Sequence, residues 1–295
     1  MLLTRALCAQ RQRLSANPLL PIATVRPFST VSTRAGRFLV VGNWKCNGLL
    51  RDVETFATKL NGVSLNPAVE TCVAPSALHV TTQLIGLRRD VQLGAQDVAV
   101  PQKAGQTGQV DARMLADAGV RYVIVGHSER RALGESDALV ASKFKAANDA
   151  NVQPIMCVGE SMADRDARRG NEVITRQLAP IFGAVDKSVQ SVVVAYEPIW
   201  AIGTGRTAEP GDIADAIKTI RDFAKAKLPA GVGLRVLYGG SVTDANAKQL
   251  AEKTPGLDGF LVGGASLAAD SFAAIVNNSA SALGTSSAAP ARSSK

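Results

Sequence analysis

Ser191-Val192-Val193-Val194-Ala195-Tyr196-Glu197-Pro198-Ile199-Trp200-Ala201-Ile202-Gly203-Thr204-Gly205 passes from an unbroken apolar run to a carboxylate, a Pro-Trp step and a glycine-rich loop. A short apolar run without polar alternation reads as a strand buried on both faces, the pattern of a parallel sheet. Glu197 then stands at the C-terminal end of that strand. Pro198-Ile199-Trp200 reads as a hinge into a loop able to cover it. A carboxylate beneath a closing loop suits a reaction that must be kept from water.

Outward from this run, similar strand candidates recur at Phe38–Asn43, Thr71–Ala74, Val91–Gln96, Tyr122–Gly126, Gln153–Val158, Leu234–Gly239 and Gly259–Val262. Stretches of helical character separate them: Val53–Leu60, Leu139–Asn148, Asn171–Ala179, Ile213–Lys225, Asp244–Lys253 and Ser271–Val276. Eight apolar strands, each followed by a helix, describe a closed parallel sheet jacketed by helices, and such a barrel needs about 250 residues. Phe38 to Asn278 supplies 241, so one domain spanning 36–278 accounts for the body. A two-domain doubly wound sheet would require a glycine fingerprint after the first strand. Gly203-Thr204-Gly205 follows the sixth strand and lacks the third glycine, which argues against dinucleotide binding.

The chain has 295 residues and a formal charge of +8. Arg5, Arg11, Arg13, Arg26, Arg34 and Arg37 supply six of those eight charges before the first acidic residue, Asp52, leaving +2 from Phe38 onward. With aromatics at 4% and no interleaving of basic and aromatic residues, the composition argues against a nucleic-acid surface. No apolar run approaches the roughly eighteen residues of a membrane span. Residues 1–35, rich in Arg, free of acid and sprinkled with Ser and Thr, have the make-up of an organellar transit peptide. Arg26-Pro27-Phe28-Ser29-Thr30 resembles a mitochondrial processing site, so a mitochondrial address ranks ahead of a plastid one. A plain extension of a cytoplasmic protein is the simpler alternative. Residues 279–295 (Ser, Ala and Pro with two charges) read as a disordered tail. Cys8, Cys46, Cys72 and Cys157 are widely spaced, so neither a disulfide frame nor a zinc site is implied.

The chemistry of such a barrel sits at the C-terminal ends of its strands. After the first strand, alternation turns Asn43 and Lys45 toward the mouth and Trp44 toward the helices. Lys45 either offers a fixed positive charge to an anionic substrate or stands in a surface turn. After the fourth strand, His127 precedes a Ser-Glu pair that reads as a helix start. An imidazole there sits in positive potential, which disfavours its charged form and leaves a donor able to polarise a carbonyl. A satisfied structural histidine is the alternative. His79, in an amphipathic helical stretch, reads as a surface or boundary residue. Tyr238-Gly239-Gly240-Ser241 and Gly263-Gly264-Ala265-Ser266 end the last two strands. Paired glycines let backbone N–H groups approach an anion, and a helix N-terminus behind them would add a favourable dipole.

Taken in order, Asn43–Gly48, Gly126–Arg131, Ala195–Gly205, Tyr238–Val242 and Gly259–Leu267 resemble the signature stretches of the triosephosphate isomerase family, over about Phe38 to Asn278. The resemblance implies an α/β fold, a single-domain (β/α)8 TIM barrel. It also implies reversible aldose–ketose isomerisation of D-glyceraldehyde 3-phosphate and dihydroxyacetone phosphate, with no cofactor and no metal. Glu197 would be the base moving a proton through an enediol(ate), and His127 the electrophile at the carbonyl oxygens. Lys45, with Asn43 as polar partner, would stabilise the enediolate. N–H groups of Gly203, Ser241, Gly263 and Gly264 would hold the phosphate. Pro198-Ile199-Trp200 and Arg206-Thr207-Ala208 would hinge a lid. Glu129 matches a family glutamate near the lysine, its role left open.

The resemblance further implies a homodimer, with the loop Asp97 to Gln109 entering the partner and Thr107 reaching the neighbouring site. Relatives carry an aromatic at 106, Asn at 97 and Glu at 109, the last a partner for Arg130. The chain has Gln106, Asp97 and Gln109 there, which predicts a weakened dimer. A catalytically dead barrel kept as a scaffold is the alternative of another class. Such a chain is expected to have lost Glu197, His127 or Lys45, and all three are present.

Overall fold

The structure is a computed structural model describing residues 37–100, 106–202 and 208–284. The expected leader at 1–35, the expected lid residues 203–207 and the chain beyond Gly284 lie outside the described residues. The strands are β1 (Phe38–Asn43), β2 (Val69–Ala74), β3 (Val91–Ala95), β4 (Tyr122–Val125), β5 (Gln153–Val158), β6 (Ser191–Tyr196), β7 (Gly233–Tyr238) and β8 (Gly259–Val262). Each pairs in parallel with the next, and β8 returns to β1 from Leu39↔Gly259 to Gly42↔Val262, closing the barrel in sequence order. The expected (β/α)8 barrel is therefore the observed fold.

Strand alternation divides the core into two layers. Leu39, Val41, Ile124, Ile155, Val193 and Leu237 fill the barrel interior. Their neighbours Val40, Val123, Val192 and Val194 pack outward against the helices. Both faces being buried explains why the strands read as continuous apolar runs. At the floor, Tyr122 Oη donates to Glu70 Oε1 at 2.6 Å, and Arg235 spans both, reaching Glu70 Oε2 and Tyr122 Oη at 2.9 Å. This closed polar triad satisfies charges that would be costly to bury alone.

The helices are α1 (Leu50–Asn61), α2 (Val80–Gly86), α3 (Ala112–Asp117), α4 (Ser128–Ala132), α5 (Asp137–Asp149), α6 (Met162–Asp166), α7 (Gly170–Gly183), α8 (Pro210–Lys227), α9 (Ala247–Lys253) and α10 (Ala269–Gly284). In α1, Val53, Phe56, Ala57 and Leu60 form one buried stripe at helical spacing. Trp44 faces that stripe and meets Phe56 edge-on at 4.8 Å between ring centroids, as alternation predicts. α10 corrects the expected boundary at 278. It runs on to Gly284, with Ser279 and Ala280 buried and Ser279 Oγ donating to the Ile275 carbonyl. The back-bond satisfies the buried Ser279 hydroxyl inside the helix, so Ser-Ala composition did not mark its end. Among the described residues, no helix is long and apolar enough to cross a membrane.

Candidate active site

At the C-terminal ends of the strands, Asn43, Lys45, His127, Glu197, Ser241, Gly263 and Gly264 line one cavity of about 480 Å³. These seven sequence candidates thus converge from β1, β4, β6, β7 and β8. Gly203 lies outside the described residues. Thr107 belongs to an exposed turn, Gln106 to Gln109, instead.

Glu197 follows β6 directly, its N–H donating to the Val158 carbonyl at 2.8 Å. The neighbouring β5 end must be bare: a Cβ on Gly159 would stand 1.8 Å from the Glu197 carbonyl oxygen. The carboxylate is buried at 2% exposure and held by two donors. Oε2 accepts from the Ser128 backbone N–H at 2.9 Å, and Oε1 lies 2.8 Å from His127 Nε2. Burial, reinforced by the negative Glu197, pushes the adjacent Cys157 thiol well up, so it stays a neutral group beside the carboxylate.

Gly126, at φ +66°, turns the chain sharply from β4 into α4. His127 caps that helix: its Nδ1 accepts from the Glu129 backbone N–H at 3.2 Å. A nitrogen that accepts carries no proton, so the ring hydrogen belongs to Nε2, the atom aimed at Glu197. The cap thus turns Nε2 toward the cavity as the ring's donor. Arg131 braces the turn, donating to the Gly126 carbonyl at 2.8 Å, the Cys157 carbonyl at 3.2 Å and Asp137 at 2.6 Å.

Lys45 reaches the mouth by a route alternation does not describe. β1 stops at Asn43, and Lys45 adopts a left-handed backbone, φ +54°. Such a conformation persists only where surroundings hold it. Here the Asn43 side chain accepts from Lys45 N–H at 3.1 Å, and Gln96 Nε2 donates to the Lys45 carbonyl at 2.9 Å and the Ala74 carbonyl at 3.0 Å. Gln96 is a positioning group that sequence reading missed. Lys45 Nζ donates to Glu129 Oε1 at 2.6 Å. Burial alone would raise the Glu129 carboxyl, but its hydrogen bond to Lys45 and the charge there hold it below its ordinary value. His79 is buried rather than at the surface, its Nε2 3.0 Å from the Gly48 carbonyl in the loop that carries Lys45.

The glycine-lined loops close the cavity beside Lys45, whose Cε would lie 3.8 Å from a Cβ placed on Gly263. Tyr238 folds under Gly240, where a Cβ would stand 2.3 Å from the phenolic oxygen. Burial pushes that hydroxyl up to about 12, against a smaller lowering by the Ser241 backbone N–H. A short 3-10 turn, Gly264–Leu267, begins directly behind Gly263. Behind Ser241, by contrast, no helix begins at once: α9 starts only at Ala247, which corrects the expectation of a dipole there.

A second cavity of about 450 Å³ adjoins the first and shares Asn43, Lys45 and His127 with it. Arg130, on its wall, pairs with Asp97 at 3.0 Å and Glu135 at 2.7 Å, and Lys143 meets the same two carboxylates at 2.6 Å. Asp97 and Glu135 are thus the partners of Arg130.

Residues 38–279 match the model of the triosephosphate isomerase family. Among curated relatives, triosephosphate isomerase of Thiobacillus denitrificans is 47% identical over 242 residues, covering 80% of this chain and 96% of the relative. That of Pseudomonas entomophila is 43% identical, covering 81% and 97%. A protein of Secale cereale named triosephosphate isomerase, chloroplastic, is 37% identical, covering 83% and 82%. The chain belongs to the triosephosphate isomerase family.

Proposed function

We propose that the chain interconverts D-glyceraldehyde 3-phosphate and dihydroxyacetone phosphate through an enediol(ate), with Glu197 as base. The observation that carries this reading is the 2.8 Å approach of His127 Nε2 to Glu197 Oε1, beside Lys45 and the glycine-lined loops. A substrate carbonyl entering between them takes the Nε2 hydrogen bond and frees Oε1. Glu197 then removes the proton from the adjacent hydroxyl-bearing carbon. The C–H electron pair becomes the C=C bond, and the carbonyl electrons move to oxygen, where His127 donates. His127 passes its Nε2 proton to that oxygen and takes the proton of the neighbouring hydroxyl. As that second oxygen becomes the new carbonyl, the C=C pair takes the proton back from Glu197 at the other carbon, which completes the isomerisation. Lys45 opposes the charge that develops on the enediolate, with Asn43 holding its backbone. N–H groups of Ser241, Gly263 and Gly264 bind the phosphate, joined by Gly203 from the lid.

Isomerisation in D2O, followed by NMR of the product, tests this scheme. Proton transfer through an enediol places solvent deuterium on carbon, whereas a product free of deuterium would rule against a base exchanging with water.

A second copy of the chain is the partner proposed for the adjoining groove. The turn Gln106–Gln109 stands exposed, and Ala77, Val80, Val98 and Met114 give the groove an apolar wall next to Lys45 and His127. Docking of the turn there would carry Thr107 toward the neighbouring site. Residues 1–35 are proposed as an organellar leader, mitochondrial in the first instance, on their Arg-rich, acid-free composition. Import into isolated mitochondria, with sequencing of the mature N-terminus, tests it. Retention outside would contradict it.

A further inference from the structure

The loop that ends β7 needs another support in place of the absent helix dipole. We infer that Asn246 is a positioning residue for the anion cradle, an assignment that rests on Ser241 as a phosphate donor. Its carboxamide reaches back to both ends of the loop. Nδ2 donates to the Ser241 carbonyl at 3.0 Å, and Oδ1 accepts from the Thr243 N–H at 2.8 Å. The Thr243 hydroxyl and carbonyl both face the Asn246 N–H, each at 3.3 Å. The ring so formed encloses Val242, whose buried side chain pins it to the core. From outside, Asn278 on α10 donates to the Asp244 carbonyl at 2.7 Å.

The consequence is electrostatic. A carbonyl oxygen free to turn into the cavity would repel a phosphate, and Asn246 keeps the Ser241 carbonyl engaged. The same bond fixes the backbone immediately after the Ser241 N–H, which faces the Tyr238 hydroxyl, so the position of this donor is set before an anion arrives. Only a side chain with donor and acceptor in one planar group can make both bonds. Aspartate would place an acceptor against the Ser241 carbonyl, and serine is too short to reach both ends.

The test compares the full chain with Asn246→Ala and Asn246→Ser. Asn277→Ala serves as control, because it deletes a similar pair of bonds, to Ser64 and Asn66, in the segment leading into β2. The readouts are kcat, KM for glyceraldehyde 3-phosphate, the inhibition constant of inorganic phosphate, and the thermal midpoint. For Asn246→Ala, KM and the phosphate constant rise together about three- to tenfold, as expected for one or two lost hydrogen bonds, while kcat changes less than about twofold. Asn246→Ser falls between, and stays informative should the alanine variant fold poorly. The control leaves both constants unmoved. A lowered midpoint with both constants unchanged would reduce Asn246 to a structural staple and overturn the inference, as would an equal rise in the control. Wild-type chain that turns over substrate but is indifferent to phosphate would overturn it without touching the isomerase reading. Loss of both would remove the two together.

Discussion

Lys45 Nζ lies 2.6 Å from Glu129 Oε1, so the cation facing the cavity is already paired before any substrate enters. With side chains 32% and 58% exposed, the pair contributes at most about 1 kcal/mol to stability. Its value lies in placing a flexible ammonium. Glu129→Gln is expected to lower kcat/KM about tenfold or more, because positioning carries much of a barrier reduction, while the thermal midpoint moves only about 2–4 °C or less. Steady-state kinetics beside a melting curve checks this. Unchanged kcat/KM would leave Glu129 outside the site's machinery.

Glu197→Asp retracts the carboxylate by one methylene. Both oxygens of Glu197 are engaged at 2.8–2.9 Å, so a shorter arm cannot keep Ser128 and His127 and also meet a substrate carbon. Turnover is expected to fall on the order of 10² or more. A variant near wild-type rate would mean that Glu197 is not the base.

The four charges behind the adjoining groove make a pH prediction. Burial would raise the Glu135 carboxyl, but hydrogen bonds and charge from Lys143 and Arg130 outweigh it and hold Glu135 below its ordinary 4.5. A depressed carboxylate adds stability that is fully present above the unfolded value and fades as pH falls through the folded one. Glu135→Gln is therefore expected to be less stable than wild type at neutral pH, with the gap shrinking below 4.5. Denaturant unfolding at several pH values measures it. A gap that stays constant into acid would assign the loss to packing instead.

A dimer docked through Gln106–Gln109 lacks the aromatic expected at its tip, and so loses apolar area where burial counts most. Sedimentation at nanomolar concentration, on the order of a tight dimer's dissociation constant, should reveal monomer. A single dimer boundary throughout that range would show that other contacts compensate.

The barrel was legible because parallel strands buried on both faces leave unbroken apolar runs. Phe38–Asn43, Gln153–Val158 and Gly259–Val262 coincide with observed strands, and the others differ by only a few end residues. The helices Ala112–Asp117 and Met162–Asp166 escaped because five or six residues cannot display a 3.6-residue period, while Ser128–Ala132 was marked only by its start and Val80–Gly86 only by the amphipathic stretch around His79. In the site, Lys45, His127 and Glu197 could be found as polar residues at strand ends. Ser128 could not, since it acts through its backbone N–H. Nor could Gln96, whose importance lies in two carbonyls distant in sequence. Asn246 fell inside the helix expected over Asp244–Lys253, and it serves the loop before the helix instead.

The most direct measurement is a coupled assay of the full chain with glyceraldehyde 3-phosphate, following dihydroxyacetone phosphate, beside Glu197→Ala. Rapid turnover by the wild type and its loss in a folded Glu197→Ala is the predicted result. Turnover that survives the substitution, or a folded wild-type chain that converts nothing, would contradict the assignment of Glu197 as the base of this isomerase.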